Sequence, residues 1–116
     1  MRHRKKNIIL GRPAAAKNAL LSQLATSVVL FETIRTTAAK ARAVRPLVEK
    51  CVTLGKIPSL AHRRQLINQL QTQGAVKKVL EVLSPRYQSR LGGYTRITKL
   101  GRRLGDAAEM VEISFV

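Results

Sequence analysis

The spacing of apolar residues changes period several times along the chain, and each change marks the edge of an element. From Ala14 onward Leu20, Leu21, Leu24, Val28 and Phe31 recur at steps of three and four, which lines one face of a helix, and Pro13 suits its first turn. A first helix is expected to end near Phe31. Across Glu32 to Thr37 the period drops to two and β-branched Thr and Ile disfavour helix, so a short strand is expected there. A second helix over Ala38 to Gly55 turns Ala41, Val44, Leu47, Val48, Cys51, Val52 and Leu54 toward a core, with Lys40, Arg42, Arg45 and Lys50 outward. Pro46 lies inside it and lacks the N–H that would bond the Arg42 carbonyl, which predicts a kink or an interruption.

Gly55 to Pro58 breaks the pattern, and Ser59 is a good N-cap for a third helix carrying Leu60, Leu66, Ile67 and Leu70. Gly74 is expected to end that unit. A short fourth helix over Ala75 to Leu83, with Val76, Val79, Leu80 and Leu83, is expected to stop at Ser84-Pro85. Two alternating stretches follow, Tyr94 to Leu100 and Met110 to Val116, the second with Val111, Ile113 and Phe115 on one face and Glu112 and Ser114 on the other. Joined over a loop from Gly101 to Ala108, they predict an antiparallel hairpin. The expected fold class is α+β in two layers: four helices packed on a small sheet made of one short strand plus the C-terminal hairpin. Residues 1–12 hold too little apolar surface to offset the cost of ordering, so they read as an extended basic N-terminal arm, and residues 13–116 read as a single domain.

Composition sharpens this picture. A chain of 116 residues makes one domain that buries roughly two thirds of the surface its unfolded form exposes. Hydrophobic residues make up 45% but aromatics only 3%, so the core is expected to be aliphatic. Twenty-two bases against six acids give a net charge of +16, far beyond what solubility requires, and a permanent polyanionic partner is the economical explanation. The one cysteine, Cys51, cannot form an internal disulfide and reads as core packing. No uninterrupted apolar run approaches the ~18 residues of a membrane span, and no secretory signal is evident. A cytoplasmic protein without membrane, small-molecule substrate or homo-oligomer is expected.

Candidate chemistry is concentrated between Pro85 and Asp106. That stretch has no acid before its last residue, while Arg86, Arg90, Arg96, Lys99, Arg102 and Arg103 supply six positive charges alongside Tyr87 and Tyr94, the only tyrosines. Gly92-Gly93 lets the backbone turn tightly or approach another molecule. Arginine suits bidentate phosphate recognition, and Tyr94 is either a stacking platform for a base or a half-buried strand residue. Further candidates for phosphate contact are Arg2, His3, Arg4, Lys5, Lys6, Arg12 and Lys17 at the start, and Arg35, Lys40, Arg42, Arg45, Arg63 and Arg64 along the body. Taken one at a time, each base on a helix is more often solvated than engaged. Catalysis has no foothold: the acids are scattered, the two histidines, His3 and His62, stand apart, and no phosphate loop, nucleophile elbow or metal motif occurs. No cofactor or metal is expected. Asp106 is read as a structural acceptor that holds Arg102 or Arg103 in the hairpin loop.

The opening Met1-Arg-His-Arg-Lys5, then Ile34-Arg-Thr-Thr37 with Lys40-Ala-Arg42 and Arg45, the Arg63-Arg64 pair, Pro85-Arg-Tyr87, Gly92-Gly-Tyr-Thr-Arg96 and Gly105-Asp106 occur in an order that resembles the bacterial-type large-subunit ribosomal protein seventeen family. The resemblance covers essentially the whole chain. It implies a protein of the large ribosomal subunit that binds ribosomal RNA near the nascent-chain tunnel exit beside neighbouring large-subunit proteins, helps to stabilise that region and catalyses nothing. Two other readings of the charge are an architectural DNA-binding protein and a small enzyme acting on nucleic acid; the second would need a carboxylate or metal cluster.

Overall fold

The computed structural model describes residues 10–116. The expected arm therefore lies outside the described residues, except for its last three positions. Helix α1 spans Ala14–Phe31 and gives way through Glu32 to strand β1, Thr33–Thr37. Glu32 adopts a left-handed backbone (φ 62°) and its N–H returns to the Val28 carbonyl, so it caps the helix and is not part of the strand. The Lys78 ammonium bonds the Leu30 carbonyl at 2.9 Å, adding a positive charge where the helix dipole is negative. By length and composition α1 is, among the described residues, the one helix long and apolar enough to cross a bilayer. Its closing turns, with Ala25, Thr26, Val28 and Val29 buried, are instead packed chiefly on neighbouring helices.

Helix α2, Ala38–Gly55, runs through Pro46 unbroken, so of the kink or interruption expected there the interruption does not occur. Pro46 sits on the exposed side, where solvent can take up the carbonyl that the missing N–H leaves free. Helix α3, Leu60–Gln69, starts as expected at Ser59, whose hydroxyl accepts from the His62 N–H at 3.1 Å. Leu66 and Leu70 are buried, but Leu60 and Ile67 remain 66% and 51% exposed. Gly74 does not end a unit. Helix α4, Gln73–Lys78, begins before it because Thr72 provides an N-cap, accepting from Ala75 N–H at 3.2 Å.

Nor does Ser84-Pro85 stop the helix. The rod continues through a π-helical turn, Val79–Leu83, into α5, Ser84–Arg86. The Ser84 N–H reaches back five residues to the Val79 carbonyl. That extra residue widens the helix just ahead of Pro85, where a regular turn would set the proline ring against a carbonyl.

The sheet has the order β1-β3-β2 with all pairs antiparallel, β2 being Thr95–Arg102 and β3 Glu109–Phe115. Ile34, Ile113 and Ile97 stand side by side across it. A register shift between Lys99 and Gly101 bulges the edge strand β2. Helices cover one face. The core joins Val28 and Val29 of α1, Val44, Val48, Cys51 and Val52 of α2, Leu66, Leu70, Val76, Val79 and Leu83 with Ile113, and it is mostly aliphatic, with Tyr87 and Tyr94 at one edge. Burial pushes the Cys51 thiol up to about 11, consistent with an inert packing residue.

Gly55 sets the closest approach in this core. A Cβ there would lie 2.2 Å from Ser84 Oγ and 2.9 Å from Val79 Cγ1. The buried Ser84 hydroxyl is itself committed to the Val52 carbonyl at 3.0 Å, so it has little room to yield. Gly55→Ala is therefore expected to lower the midpoint of urea unfolding, with a loss of about 1–3 kcal/mol from overpacking despite the better helix propensity of alanine. An unchanged midpoint would show that the contact relaxes freely.

Candidate nucleic-acid interface

Carboxylates are scarce in this chain, and their positions decide which bases are held. Glu49 of α2 accepts from the Gly93 N–H at 3.2 Å, from the Thr95 hydroxyl at 3.0 Å and from Arg45 Nε at 3.1 Å. Arg45 also approaches the Thr95 carbonyl at 3.4 Å. One helix flank thus fixes both the Gly92-Gly93 turn and the start of β2. Arg42, Arg45, Glu49 and Lys56 recur at helical spacing along that flank. The Lys56 ammonium bonds the Arg90 carbonyl and lies 4.7 Å from the centre of the Tyr94 ring, while Arg90 Nη1 bonds the Gly93 carbonyl at 3.1 Å.

The two tyrosines are in the core. Tyr94 is only 1% exposed, immediately before β2, and its ring lies 5.3 Å from that of Tyr87, which in turn is 6.0 Å from Phe115. Tyr87 donates to the Val116 carbonyl at 2.6 Å, and Val116 N–H bonds the Tyr94 carbonyl at 2.9 Å. Their faces are occupied by protein, so of the two readings of Tyr94 the buried one describes it, and both rings anchor the turn next to the arginines. Composition had suggested a core without aromatics, yet this cluster of three rings closes its edge.

Other bases are pinned away from this region. Glu32 takes Arg86 and, at 3.1 Å, Lys78, joining the end of α1 to the 73–86 rod. The Arg86 bond is the main reason the Glu32 carboxyl lies below its ordinary value, with Lys78 next. In the hairpin loop Asp106 grips Arg103 through two bonds of 3.0 and 2.6 Å and accepts the Ala108 N–H at 3.2 Å, as expected of it. Arg103 lowers the Asp106 carboxyl well below the carboxylate range. Backbone bonds between Arg103 and both Ala107 and Ala108 close this loop on four residues, shorter than expected, with Ala107 at φ 57°. Arg102 bonds the Ala107 carbonyl at 2.9 Å, and Arg35 lies 3.7 Å from Glu112 on the open face of the sheet.

The remaining candidates divide by position. Arg96 of β2 shares the open sheet face with Arg35, in rows that cross Ser114 and Glu112 of β3. Arg96, Lys99 and Arg102 are exposed along the edge strand β2, Arg96 opposite Ser114 on the open face and Lys99 opposite Val111 on the other side, while Arg42 continues the α2 flank. None of Arg42, Arg96 and Lys99 has a carboxylate partner among the described residues. Charges on an edge strand also serve to prevent pairing with another sheet, which is the bland reading of the same row. Arg63 and Arg64 lie apart on α3, which packs chiefly on α2 and α4. Arg12 and Lys17 flank the start of α1, with Arg12 bonded to the Leu10 carbonyl at 2.9 Å, and Lys40 is half-buried near the start of α2. Arg2, His3, Arg4, Lys5 and Lys6 fall outside the described residues. Among the described residues no group of His, Cys, Asp and Glu could hold a metal, and His62 is turned to the Ile57 carbonyl at 2.6 Å.

The arrangement defines a small basic α+β module in which four of the six acids are committed to internal pairs and unpaired cations face outward. The family model for Ribosomal protein L17 matches residues 20–116. The chain is 50% identical over all its 116 residues to the Large ribosomal subunit protein bL17 of Solibacter usitatus, covering 77% of that protein. It is 47% identical to the proteins of the same name from Bradyrhizobium diazoefficiens and Rhodopseudomonas palustris, covering 84% and 86% of them. The chain belongs to the Ribosomal protein L17 family, a family of structural proteins and not of enzymes.

Glu49 was invisible as a clamp in the sequence. Its spacing from Arg45 is legible as a helical i,i+4 pair, but its bonds to Gly93 and Thr95 span 44 and 46 residues. Glu49→Ala is expected to cost about 1.5–3 kcal/mol, the range for hydrogen bonds to a charged group, and to speed amide exchange at Gly93. Unaltered Gly93 exchange would contradict the clamp. For Glu32 the sign is that of a depressed carboxyl: its contribution is full above the ordinary value of 4.5 and is lost as pH falls through the lower folded value. Glu32→Gln is thus expected to flatten the acid limb of a stability–pH curve below about pH 4.5, and an acid limb identical to that of the parent would contradict it.

Proposed function

We propose that this chain is a structural constituent of the large ribosomal subunit, in the cytoplasm, and that it binds and stabilises large-subunit ribosomal RNA near the nascent-chain tunnel exit. Arg and Lys side chains make the phosphate contacts, and no chemical step is catalysed. The observation that carries the reading is the set of exposed bases on edge strand β2, Arg96 on the open sheet face and Lys99 on the opposite side, with Arg42 on the α2 flank, next to a turn that Glu49 and the tyrosines hold in place. Fixing cations before binding lowers the entropy lost when they meet phosphate. Arg35, Arg45, Arg86, Arg90, Arg102 and Arg103 are already bonded to protein atoms, so in this reading they orient backbone or add a second contact from their free N–H groups. Tyr87 and Tyr94 act from behind the surface. The bases from Arg2 to Lys17, with His3, extend the contact along the RNA, Lys40 supports it from α2, and Arg63 and Arg64 reach a different segment or a neighbouring protein. The position by the tunnel exit rests on the family resemblance.

With about eight phosphates engaged, the log–log salt slope for RNA binding is expected near −6 to −7, taking roughly 0.7–0.9 per contact. A slope near zero would reject the electrostatic basis. In a quantitative reconstitution of large subunits, Arg96→Ala is expected to weaken incorporation more than Lys50→Ala, which removes an exposed base lying off the Arg42–Glu49 flank. Equal effects would remove the special role of β2, and comparable affinity for duplex DNA would favour the architectural alternative.

A further inference from the structure

A second surface, remote in character from the cationic row, runs between α3 and the 73–86 rod. Three hollows share Leu80 in their linings, and the two that also share Arg63 lie between α3 and the rod, one of them holding about 510 Å³. Their floor is aliphatic, with Leu60 and Ile67 from α3 facing Val76 and Leu80 from the rod. Leu60 and Ile67 are apolar positions of the third helix, yet both lie open. The π turn carries Leu80, and such wide turns occur frequently at functional sites. On the rim Arg63 and Lys77 stand beside a single carboxylate, Glu81.

Charge narrows the occupant. RNA would find cations here but would lay its phosphates over an apolar floor, gaining nothing from the exposed leucines. A second copy would bring another chain of net charge +16 to a positive rim, and the opening residues of this chain carry Arg2, Arg4, Lys5 and Lys6 beside Ile8 and Ile9. A segment with aliphatic side chains and carboxylates meets both the floor and the rim. We infer that the α3–rod groove docks an amphipathic, acid-bearing segment of a neighbouring large-subunit protein, its apolar side chains against Leu60, Ile67 and Leu80 and a carboxylate against Arg63 or Lys77. The inference rests on the ribosomal reading above and assigns one of its protein contacts to a surface.

Salt-washed large subunits carrying Leu60→Cys or Ile67→Cys, purified from cells, provide the test. Maleimide labelling at each site is followed by peptide mass spectrometry, with the same subunits unfolded in urea as the reference. Labelling in the intact subunit is expected to be slower by at least about tenfold, the factor that corresponds to 1.4 kcal/mol of protection. Leu80→Glu is expected to restore labelling at Ile67→Cys while the chain still sediments with the subunit. A photo-crosslinking amino acid at position 67 is expected to join a ribosomal-protein peptide containing both aliphatic and acidic residues. Rapid labelling in intact subunits, or a crosslink to RNA, to a second copy or to a basic peptide without acids, would overturn the inference and leave the ribosomal reading standing. Failure of the chain to travel with washed subunits would overturn the ribosomal reading itself.

Discussion

Six carboxylates serve twenty-two bases, and the scarcity of negative charge is the constraint around which this molecule is arranged. Four of the acids stand where elements meet: Glu32 between α1 and the rod, Glu49 between α2 and β2, Asp106 within the hairpin loop and Glu112 on the middle strand. An exposed ion pair is worth only ~0.2–1 kcal/mol, so the value of these pairs is positional. Each holds a base in one orientation and a piece of backbone in one place. The bases left over repel one another in the free chain, and a polyanion removes that repulsion.

The aliphatic body supplies the rigidity that makes this placement useful. Gly55 and Ser84 let α2 and the π turn approach closely, and the buried Ser84 hydroxyl is satisfied by Val52. Thr26 does similar work at the other side, accepting from the Gln71 N–H and donating to the Ser22 carbonyl, which ties α1 to the link between α3 and α4. The ring cluster of Tyr87, Tyr94 and Phe115 then locks the last strand to the turn before β2. Packing energy is thus transmitted to the surface as fixed geometry for Arg42, Arg96 and Lys99.

Local signals read well from the chain and long-range ones did not. The limits of α1 and α2 followed from apolar spacing, and the hairpin faces followed from the alternation of Val111, Ile113 and Phe115 against Glu112 and Ser114. Gly74 misled because glycine usually marks an end, whereas Thr72 two residues earlier offered a start. Pro85 misled because the remedy, a wider turn, depends on packing against Gly55 and Val52. Tyr94 stood open between a stacking platform and a strand residue because its neighbours are basic; only the folded chain shows Tyr87 beside it and Lys56 above it. Leu60 and Ile67 obey helical periodicity, but periodicity cannot say whether anything lies opposite, and here the chain leaves that side open. The family resemblance, carried by short motifs at both ends of the sequence, agrees with the family that the comparisons define.

The most direct measurement is an atomic map of the large ribosomal subunit containing this chain. The guanidinium of Arg96 and the ammonium of Lys99 are expected within hydrogen-bonding distance of RNA phosphates, with Arg45 still on Glu49 and Tyr94 still enclosed. A map in which β2 and the open sheet face meet only solvent, while RNA lies elsewhere, would contradict the central claim.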